Sequence, residues 1–387
     1  MSTSPPKRIV ILGGGFAGLY AAMELEKTLV RTREVEITLV NRENFFLFTP
    51  MLQEVAASDL DITAIVNPLR KMLKRIRFFE GEVESIDLSH KQVVVSHGLE
   101  NHRHSLTYDH LVIGLGSITN LYELPGLNER NLTMKSLGDA IRLRNHLIAQ
   151  LEEADTECVT KKNSPLCFVV AGGGFSGVET VGALNDFVRD VLPSYSHLAE
   201  GMLRVVLVHA GTVILPELGE KLGAYAQKKL AERGVEVHVN TKVSAVSMYG
   251  VTLSDGATIE SNTVVWTAGT SANPLVQTLP CKKERGRIVV DQFLEVVGWP
   301  GVWAVGDCAA VPDRRANSVH PRPSMLFGRR RGLRKTLPHQ FAESRGSPMS
   351  FRPSDSSPPL ESELVLPIFS GSGFRASLPG GFGGRST

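Results

Sequence analysis

The strongest constraint on this chain is an internal repeat, in which an apolar run is followed by the same spacing of glycines. The two copies occupy residues 8–22 and 167–181. Each begins as a continuous apolar run, typical of a buried parallel strand, and then passes through glycines into a helical pattern. The copies lie too far apart in the chain for a solenoid repeat. The repeat therefore predicts two separate nucleotide-binding units.

The glycine spacing Gly-x-Gly-x-x-Gly has a physical meaning between a strand and a helix. The glycines allow a tight turn and a close approach of backbone to a pyrophosphate, and the helix N-terminus presents N–H groups to the anion. Two glycine-rich turns that bind nothing are the alternative, but the second copy in the same context favours binding sites. The residues expected at these sites are Gly13, Gly15, Phe16, Ala17 and Gly18 in the first copy and Gly172, Gly174, Phe175, Ser176 and Gly177 in the second.

A second apolar run follows each repeat and completes a β-α-β order. These runs are Val35–Val40 and Leu203–Val208, and helices are predicted before them at Leu19–Leu29 and Val178–Val191. This order is the core of a doubly wound sheet, so we expect an α/β fold. Further predicted elements are the strands Leu111–Gly114, Val235–Val239, Thr263–Thr267 and Val302–Val305 and the helix Asp139–Ala154.

The residue that ends the second strand of such a unit usually binds the ribose hydroxyls through a carboxylate. Here the two positions hold Asn41 and His209. The amide oxygen of Asn41 can still accept from a hydroxyl. His209 brings no negative charge to repel a 2′-phosphate, so NADPH stays open beside NADH. Both residues are alternatively ordinary polar residues at strand ends.

A third motif closes the apolar run that starts at Val302 with Gly306-Asp307 and small residues. Two glycine fingerprints followed by Val-Gly-Asp-Cys-Ala, in this order, resemble the FAD- and NAD(P)-dependent two-dinucleotide oxidoreductases. The resemblance implies two Rossmann-like domains, with FAD in the first repeat, the nicotinamide cofactor in the second, and Asp307 on the ribityl chain of FAD. The implied NAD domain is inserted in the FAD domain. The expected bounds are 1–120 and 276–315 for the two parts of the FAD domain, 121–275 for a linker helix and the NAD(P) domain, and 316–387 for a disordered tail.

Within that family the segment Asn41–Ala57 resembles the type II NADH:quinone dehydrogenases, and so do Phe78–Ile86, as a strand running past the adenine, and Val213–Pro216. The resemblance covers roughly residues 7 to 315. It implies hydride transfer from NADH to flavin, a quinone acceptor, and a peripheral place on the cytoplasmic face of a membrane; a homodimer stays open. The residues that it adds to the glycine turns are Asn41, Arg42, Thr49, Pro50, Val83, Gly114, Gly116, Ser117, Gly306 and Asp307 for FAD, and His209, Ala268 and Gly269 for the nicotinamide cofactor.

Glu179 is the one candidate catalytic residue. It lies two residues past Gly177 and matches an acid that the family places near the contact of nicotinamide and flavin. We expect its position near a helix N-terminus to favour the charged form. A role in orienting nicotinamide or in passing protons to quinone is one hypothesis, and a carboxylate that only serves the helix dipole is the other.

Composition and cysteines exclude several classes of function. The net charge of +2 does not point to nucleic acid. No close cysteine pair is present among the four cysteines, which disfavours disulfide reductases and a disulfide framework and favours a cytoplasmic chain. Sulfide:quinone reductases, which need a cysteine late in the chain, are disfavoured because none follows Cys308. We expect no metal site. Two alternatives remain, namely a soluble NAD(P)H-dependent reductase of a small electron-carrier protein and a flavoprotein without turnover.

The character of the sequence changes near Ala316. The segment 316–387 holds 9 of the 21 prolines, so it is predicted to be disordered. The resembled family continues after Val-Gly-Asp-Cys-Ala with a motif like Pro-Pro-x-Ala-Gln-His-Ala and with amphipathic membrane-surface helices, and neither is found here. An allowed choice of codons for His320–Arg330 contains that motif in the neighbouring frame. We therefore hypothesise a frameshift near Arg315 that impairs activity, against a naturally divergent tail, and the encoding DNA decides between them.

Overall fold

The computed structural model describes residues 5–29, 34–127, 132–157, 166–247 and 249–312. The predicted tail and the question of its reading frame lie outside these residues. In chain order the helices are α1 (Phe16–Thr28), α2 (Leu52–Ala56), α3 (Ile62–Ile65), α4 (Leu69–Met72), α5 (Leu137–Glu157), α6 (Phe175–Val191), α7 (Glu220–Glu232) and α8 (Pro274–Thr278).

The strands of the described residues are, in chain order, β1 (Lys7–Leu12), β2 (Val35–Asn41), β3 (Phe45–Leu47), β4 (Val66–Pro68), β5 (Arg77–Glu80), β6 (Glu82–Asp87), β7 (Gln92–His97), β8 (His102–Thr107), β9 (His110–Ile113), β10 (Ser117–Thr119), β11 (Leu132–Thr133), β12 (Leu166–Ala171), β13 (Leu203–Val208), β14 (Val235–His238), β15 (Val243–Ser247), β16 (Gly250–Leu253), β17 (Thr258–Glu260), β18 (Thr263–Trp266), β19 (Thr270–Ala272), β20 (Lys283–Glu284), β21 (Arg287–Val289), β22 (Val302–Ala304) and β23 (Ala309–Ala310).

Two five-stranded parallel sheets repeat the same plan, as the sequence repeat predicts. The first has the order β22-β9-β1-β2-β5 and the second the order β11-β18-β12-β13-β14. In each, the strand before the glycine turn lies at the centre, with the next strand beside it. In each unit the chain leaves the parallel sheet, forms a three-stranded antiparallel sheet and then returns to the parallel sheet. The antiparallel sheet is β6-β7-β8 in the first unit and β15-β16-β17 in the second. The predicted α/β class is confirmed.

Burial explains why the central strands form where the sequence predicts them. The last four residues of β1 and all of β12 are buried, as expected of strands covered on both faces. Helix α1 packs its buried side chains on the first sheet, and α6 packs on the second. The strands that connect the two units, β10 and β19, pair antiparallel to each other.

The structure shifts the predicted helix starts. Both α1 and α6 begin directly after the second glycine of the motif, at Phe16 and Phe175, rather than at Leu19 and Val178. The last glycine of each motif therefore lies inside the helix, where its missing side chain allows close packing on the turn. Helix α5 extends the predicted Asp139–Ala154 at both ends.

The prediction of one strand over Phe78–Ile86 is wrong. The chain leaves the parallel sheet after β5 and enters the antiparallel sheet at β6, with Gly81 between them. A Cβ at Gly81 would lie 2.7 Å from the carbonyl oxygen of Ser96, so only glycine fits where the two sheets meet. Among the described residues, no helix combines the length and apolar character that crossing a membrane requires.

Candidate functional site

The first glycine turn joins the end of β1 to α1. Gly13 has a φ of +99°, and a Cβ at this residue would lie 2.2 Å from the carbonyl oxygen of Gly114 at the end of β9. A Cβ at Gly18 would lie 1.9 Å from the carbonyl oxygen of Gly13. Gly15, in contrast, faces open space and is the N-cap residue of α1, which has no side-chain cap. The turn thus leaves the first backbone N–H groups of α1 open to an anion.

The second turn repeats this geometry at the equivalent positions. Gly172 has a φ of +121°, and a Cβ at Gly177 would lie 1.7 Å from the carbonyl oxygen of Gly172. Gly174 faces open space and begins α6 without a side-chain cap. Phe175 is exposed and Ser176 is half-buried in the first turn of the helix. The structure therefore repeats one design twice, in which a glycine turn leads into a helix N-terminus without a side-chain cap.

The strand-end residues Asn41 and His209 fix these turns. The Oδ1 atom of Asn41 accepts from the N–H of Gly14 at 2.7 Å, and the Nδ1 atom of His209 accepts from the N–H of Gly173 at 3.1 Å. The nitrogen that accepts must be unprotonated, and burial lowers the pKa of His209, which agrees with a neutral ring. This turn-fixing contact was not predicted; the predicted ribose contacts of both residues stay predictions.

Asp307 lies in a short 3-10 helix, Gly306–Cys308, that follows β22 and packs against α1. The Oδ2 atom of Asp307 accepts from the hydroxyl of Ser117 at 2.7 Å and lies 3.8 Å from the Nζ atom of Lys135. Lys135 also donates to the Ser117 hydroxyl at 2.9 Å. The structure thus brings together two predicted FAD residues and adds Lys135, which no sequence motif marks.

The segment that resembles the type II dehydrogenases covers the first turn. The ring of Phe16 meets the ring of Phe46 edge-on, with 5.0 Å between centroids, and lies 5.6 Å from that of Phe48. Thr49 and Pro50 form a 3-10 helix, Thr49–Met51, that leads into α2. Arg42 is exposed, and its Nε atom lies 3.2 Å from a carboxylate oxygen of Glu43. The rings of Phe16, Phe46 and Phe48 therefore pack together at the N-terminus of α1.

The remaining predicted residues lie in the connections and in the core. Gly114 packs on the first turn, since its N–H donates to the carbonyl of Leu12 at 2.8 Å. A Cβ at Gly172 would lie 2.8 Å from the backbone nitrogen of Ala268. The segment between β18 and β19 therefore lies beside the second glycine turn. Gly269 follows directly and has a positive φ, as has Gly116 before β10. The side chain of Val83 is buried in β6, in the hydrophobic core of the first unit.

A hydrogen bond links the two units at the candidate catalytic residue. Gln53 in α2 donates from Nε2 to the Oε2 atom of Glu179 in α6 at 3.3 Å. Burial and, to a smaller extent, the carboxylate of Glu54 raise the pKa of Glu179 to about 7. The expectation that the helix N-terminus favours the charged form is wrong. Glu179 is the fifth residue of α6, beyond the first turn, and α2 removes it from water.

Comparison with known proteins identifies a family and several relatives. Residues 7–323 match the family model for pyridine nucleotide-disulphide oxidoreductases. The chain is 34% identical over 326 residues to the type II NADH:quinone oxidoreductase Ndh of Mycobacterium tuberculosis, covering 80% of this chain and 69% of that one. It is 30% identical to the type II NADH:quinone oxidoreductase of Staphylococcus aureus, covering 79% of this chain and 75% of the relative.

A solved structure agrees with this likeness in fold. The NDH2 protein of Plasmodium falciparum in complex with NADH superposes with a TM-score of 0.71 at 22% identity, covering 79% of this chain and 65% of that one. This chain therefore spans about two thirds of the length of several relatives that it matches.

Proposed function

Because this chain belongs to the pyridine nucleotide-disulphide oxidoreductase family, and within it to the type II NADH:quinone oxidoreductases, we propose that it oxidises NADH with the help of FAD and reduces a quinone. One observation carries the proposal for this chain. The two units each contain a glycine turn of the same design, and a hydrogen bond from Gln53 of the first unit to Glu179 of the second links them. A carboxyl group with a raised pKa thus lies where the two units that carry these turns meet, which supports a role in redox chemistry between them.

The residues of the first unit fit FAD. The open face of Gly15 and the uncapped N-terminus of α1 suit the pyrophosphate. Asp307 is a carboxylate acceptor beside that helix, as a ribityl hydroxyl needs, and Ser117 and Lys135 hold it in place. Thr49, Pro50 and the ring of Phe48 lie on the segment beside the turn.

The residues of the second unit fit a nicotinamide dinucleotide. Gly174 and the N-terminus of α6 repeat the pyrophosphate site. His209 directly follows β13 and carries no carboxylate, so it places no negative charge against a 2′-phosphate. We propose NADH as the substrate on the strength of the family, with NADPH as a second substrate that this strand end does not repel.

When bound, FAD supplies the two-electron chemistry by which hydride is taken from NADH and electrons reach the quinone. The chain positions the two cofactors and manages protons. Because burial disfavours its charged form, Glu179 has a pKa of about 7, so its protonated and charged forms coexist near neutral pH. Gln53 fixes the orientation of that carboxyl through its amide.

We extend the proposal to a peripheral place on a membrane surface, which co-sedimentation with vesicles tests, and to a homodimer, which light scattering tests.

The proton role of Glu179 predicts a pH-dependent loss in Glu179→Gln. With a soluble quinone, turnover of the native chain should fall as pH rises through about 7, because the protonated acid is lost. Glu179→Gln should lower turnover about tenfold at pH 6 and remove this ionisation from the pH profile. Steady-state rates of NADH oxidation from pH 5 to pH 9 measure both effects. Glu36→Gln, at an exposed carboxylate in β2, is the control. Unchanged turnover in Glu179→Gln would contradict the role.

Stability gives the same residue a second readout. The folded chain binds the Glu179 proton more tightly than the unfolded chain does, because the pKa rises from 4.5 to about 7 on folding. Stability from this group is therefore present below about pH 4.5 and is lost as pH rises toward 7. Glu179→Gln should raise the melting temperature above pH 7 and leave it nearly unchanged at pH 4.

A further inference from the structure

Two histidines face each other on the antiparallel sheet β6-β7-β8, which carries neither glycine turn. The Nε2 atom of His97 in β7 lies 2.8 Å from the Nε2 atom of His104 in β8. The strand register pairs His97 with His102, so His104 is a diagonal neighbour of His97 on the same face of the sheet. Diagonal neighbours lie within reach of long and aromatic side chains. Strand pairing therefore brings together two imidazoles that no sequence motif marks.

An aromatic ring packs against both imidazoles and restricts their directions. The ring of Phe79 in β5 meets both edge-on, with its centroid 5.6 Å from that of His97 and 5.5 Å from that of His104. The two imidazole centroids lie 4.7 Å apart. His97 is half-buried, whereas His104 is exposed, so the pair is open to solvent on one side. The two nitrogens are thus held close together and remain accessible to a small ligand.

The neighbouring charged groups do not oppose a cation at this pair. Arg103 lies between the two histidines of β8 in the chain, but its side chain points to the opposite face and pairs with Glu84. His102 is occupied elsewhere, since its Nε2 atom lies 3.2 Å from a carboxylate oxygen of Glu100. Its ring centroid is 6.1 Å from that of His97. His102 is therefore not a third member of the pair.

The distance between the two nitrogens matches that between two ligands of one metal ion. Imidazole nitrogens bind transition metals at about 2.0 Å, so two of them at adjacent corners of a square lie about 2.8 Å apart, against about 3.3 Å for tetrahedral positions. Square-planar and tetragonal nitrogen sites favour Cu²⁺ and Ni²⁺. Among the described residues, no group of three or more histidine, cysteine or acidic side chains could hold a metal ion. The two histidines would therefore be the whole protein ligand set, with water at the other positions.

We propose that His97 and His104 form a surface site for a divalent transition-metal ion of tetragonal preference. In the metal-free pair one Nε2 atom donates a proton to the other. When the ion binds, that proton moves to the Nδ1 atom of its own ring, so both Nε2 lone pairs face the metal and no net proton is released. Because β8 is the edge strand of its sheet, the ion also links this edge to β7 and stabilises the folded chain. The site does not depend on NADH oxidation.

Isothermal titration calorimetry of the untagged full-length chain with NiCl₂ tests the site directly. The native chain should bind one Ni²⁺ at its tightest site, and His97→Gln and His104→Gln should each weaken that site about tenfold or more, because one of two ligands is lost. His90→Gln, at an exposed histidine before β7, is the matched control and should bind as the native chain does. MgCl₂ should not bind, since Mg²⁺ prefers oxygen ligands. Native Ni²⁺ affinity in His97→Gln/His104→Gln would overturn the site.

Melting curves give a second readout that needs neither FAD nor turnover. At a hundredfold excess over its dissociation constant, Ni²⁺ should raise the melting temperature of the native chain by about 3 °C. His104→Gln should melt as the native chain does without metal, because the side chain is exposed, and should lose most of the Ni²⁺ shift. A shift of the native size in His104→Gln would contradict the proposal. These results stay separate from the proposed function, which flavin bleaching by NADH tests.

Discussion

Gly18→Ala should destabilise the folded chain strongly, whereas Gly15→Ala should keep nearly the native stability and bind FAD more weakly. A Cβ at Gly18 would lie 1.9 Å from the main-chain oxygen of Gly13. Because this oxygen belongs to the backbone, the clash cannot be relieved by rotating a side chain. Because helix α1 or the turn itself must shift, we expect a loss of about 3 kcal/mol or more in the free energy of unfolding. For a chain of 387 residues that unfolds as one unit, this lowers the melting temperature by roughly 4 °C.

A Cβ at Gly15 meets no atom within 4 Å, so the alanine costs at most about 1 kcal/mol at this helix N-cap. The same methyl group projects where the proposed pyrophosphate meets the backbone, so FAD affinity should fall about tenfold or more. Melting curves and flavin content per chain measure the two effects. Gly177→Ala and Gly174→Ala should repeat the pattern with NADH in place of FAD. A Gly18→Ala chain as stable as the native chain would contradict the packing of the turn.

Asp307→Ala should weaken FAD binding strongly and leave the chain folded. The carboxylate is partly exposed, and Ser117 and Lys135 remain hydrogen-bonded to each other without it, so stability should change by less than about 1 kcal/mol. Loss of a charged acceptor for a cofactor hydroxyl costs about 1.5–3 kcal/mol, which lowers FAD affinity roughly 10- to 100-fold. Fluorescence titration of the cofactor-free chain with FAD gives this value.

Lys135→Met separates binding by Asp307 from a merely structural ion pair. If Asp307 itself contacts FAD, Lys135→Met keeps the acceptor and should lose much less affinity than Asp307→Ala. Equal losses in the two variants would assign the effect to the ion pair. Native FAD affinity in Asp307→Ala would place the ribityl chain elsewhere.

The sequence predicts correctly those strands, turns and helices that depend on residues close together in the chain. The two glycine fingerprints predict both strand–turn–helix units, because an apolar run, a fixed glycine spacing and a helical pattern lie within 15 consecutive residues, 8–22 and 167–181. Burial of β12 on both faces is visible in its continuous apolar run. The break at Gly81 escaped the prediction, since Ser96, which requires the glycine, belongs to a later strand.

The candidate site depends on contacts between distant parts of the chain. Asn41 and His209 were predicted at the strand ends, but their bonds to the turns follow from the pairing of neighbouring parallel strands. The charge state of Glu179 was predicted wrongly because Gln53 and Glu54, which bury and perturb it, come from another unit. Its position near a helix N-terminus predicted a lowered pKa, whereas burial raises the pKa.

Anaerobic titration of the purified, FAD-loaded chain with NADH, followed by flavin absorbance, tests most directly whether the two turns bring two cofactors together. We expect the chain to retain one FAD and to be bleached fully by about one equivalent of NADH. Repeating the titration with NADPH shows whether the strand end at His209 admits the extra phosphate. A chain that retains no FAD, or whose bound FAD stays oxidised in excess NADH, would contradict the account.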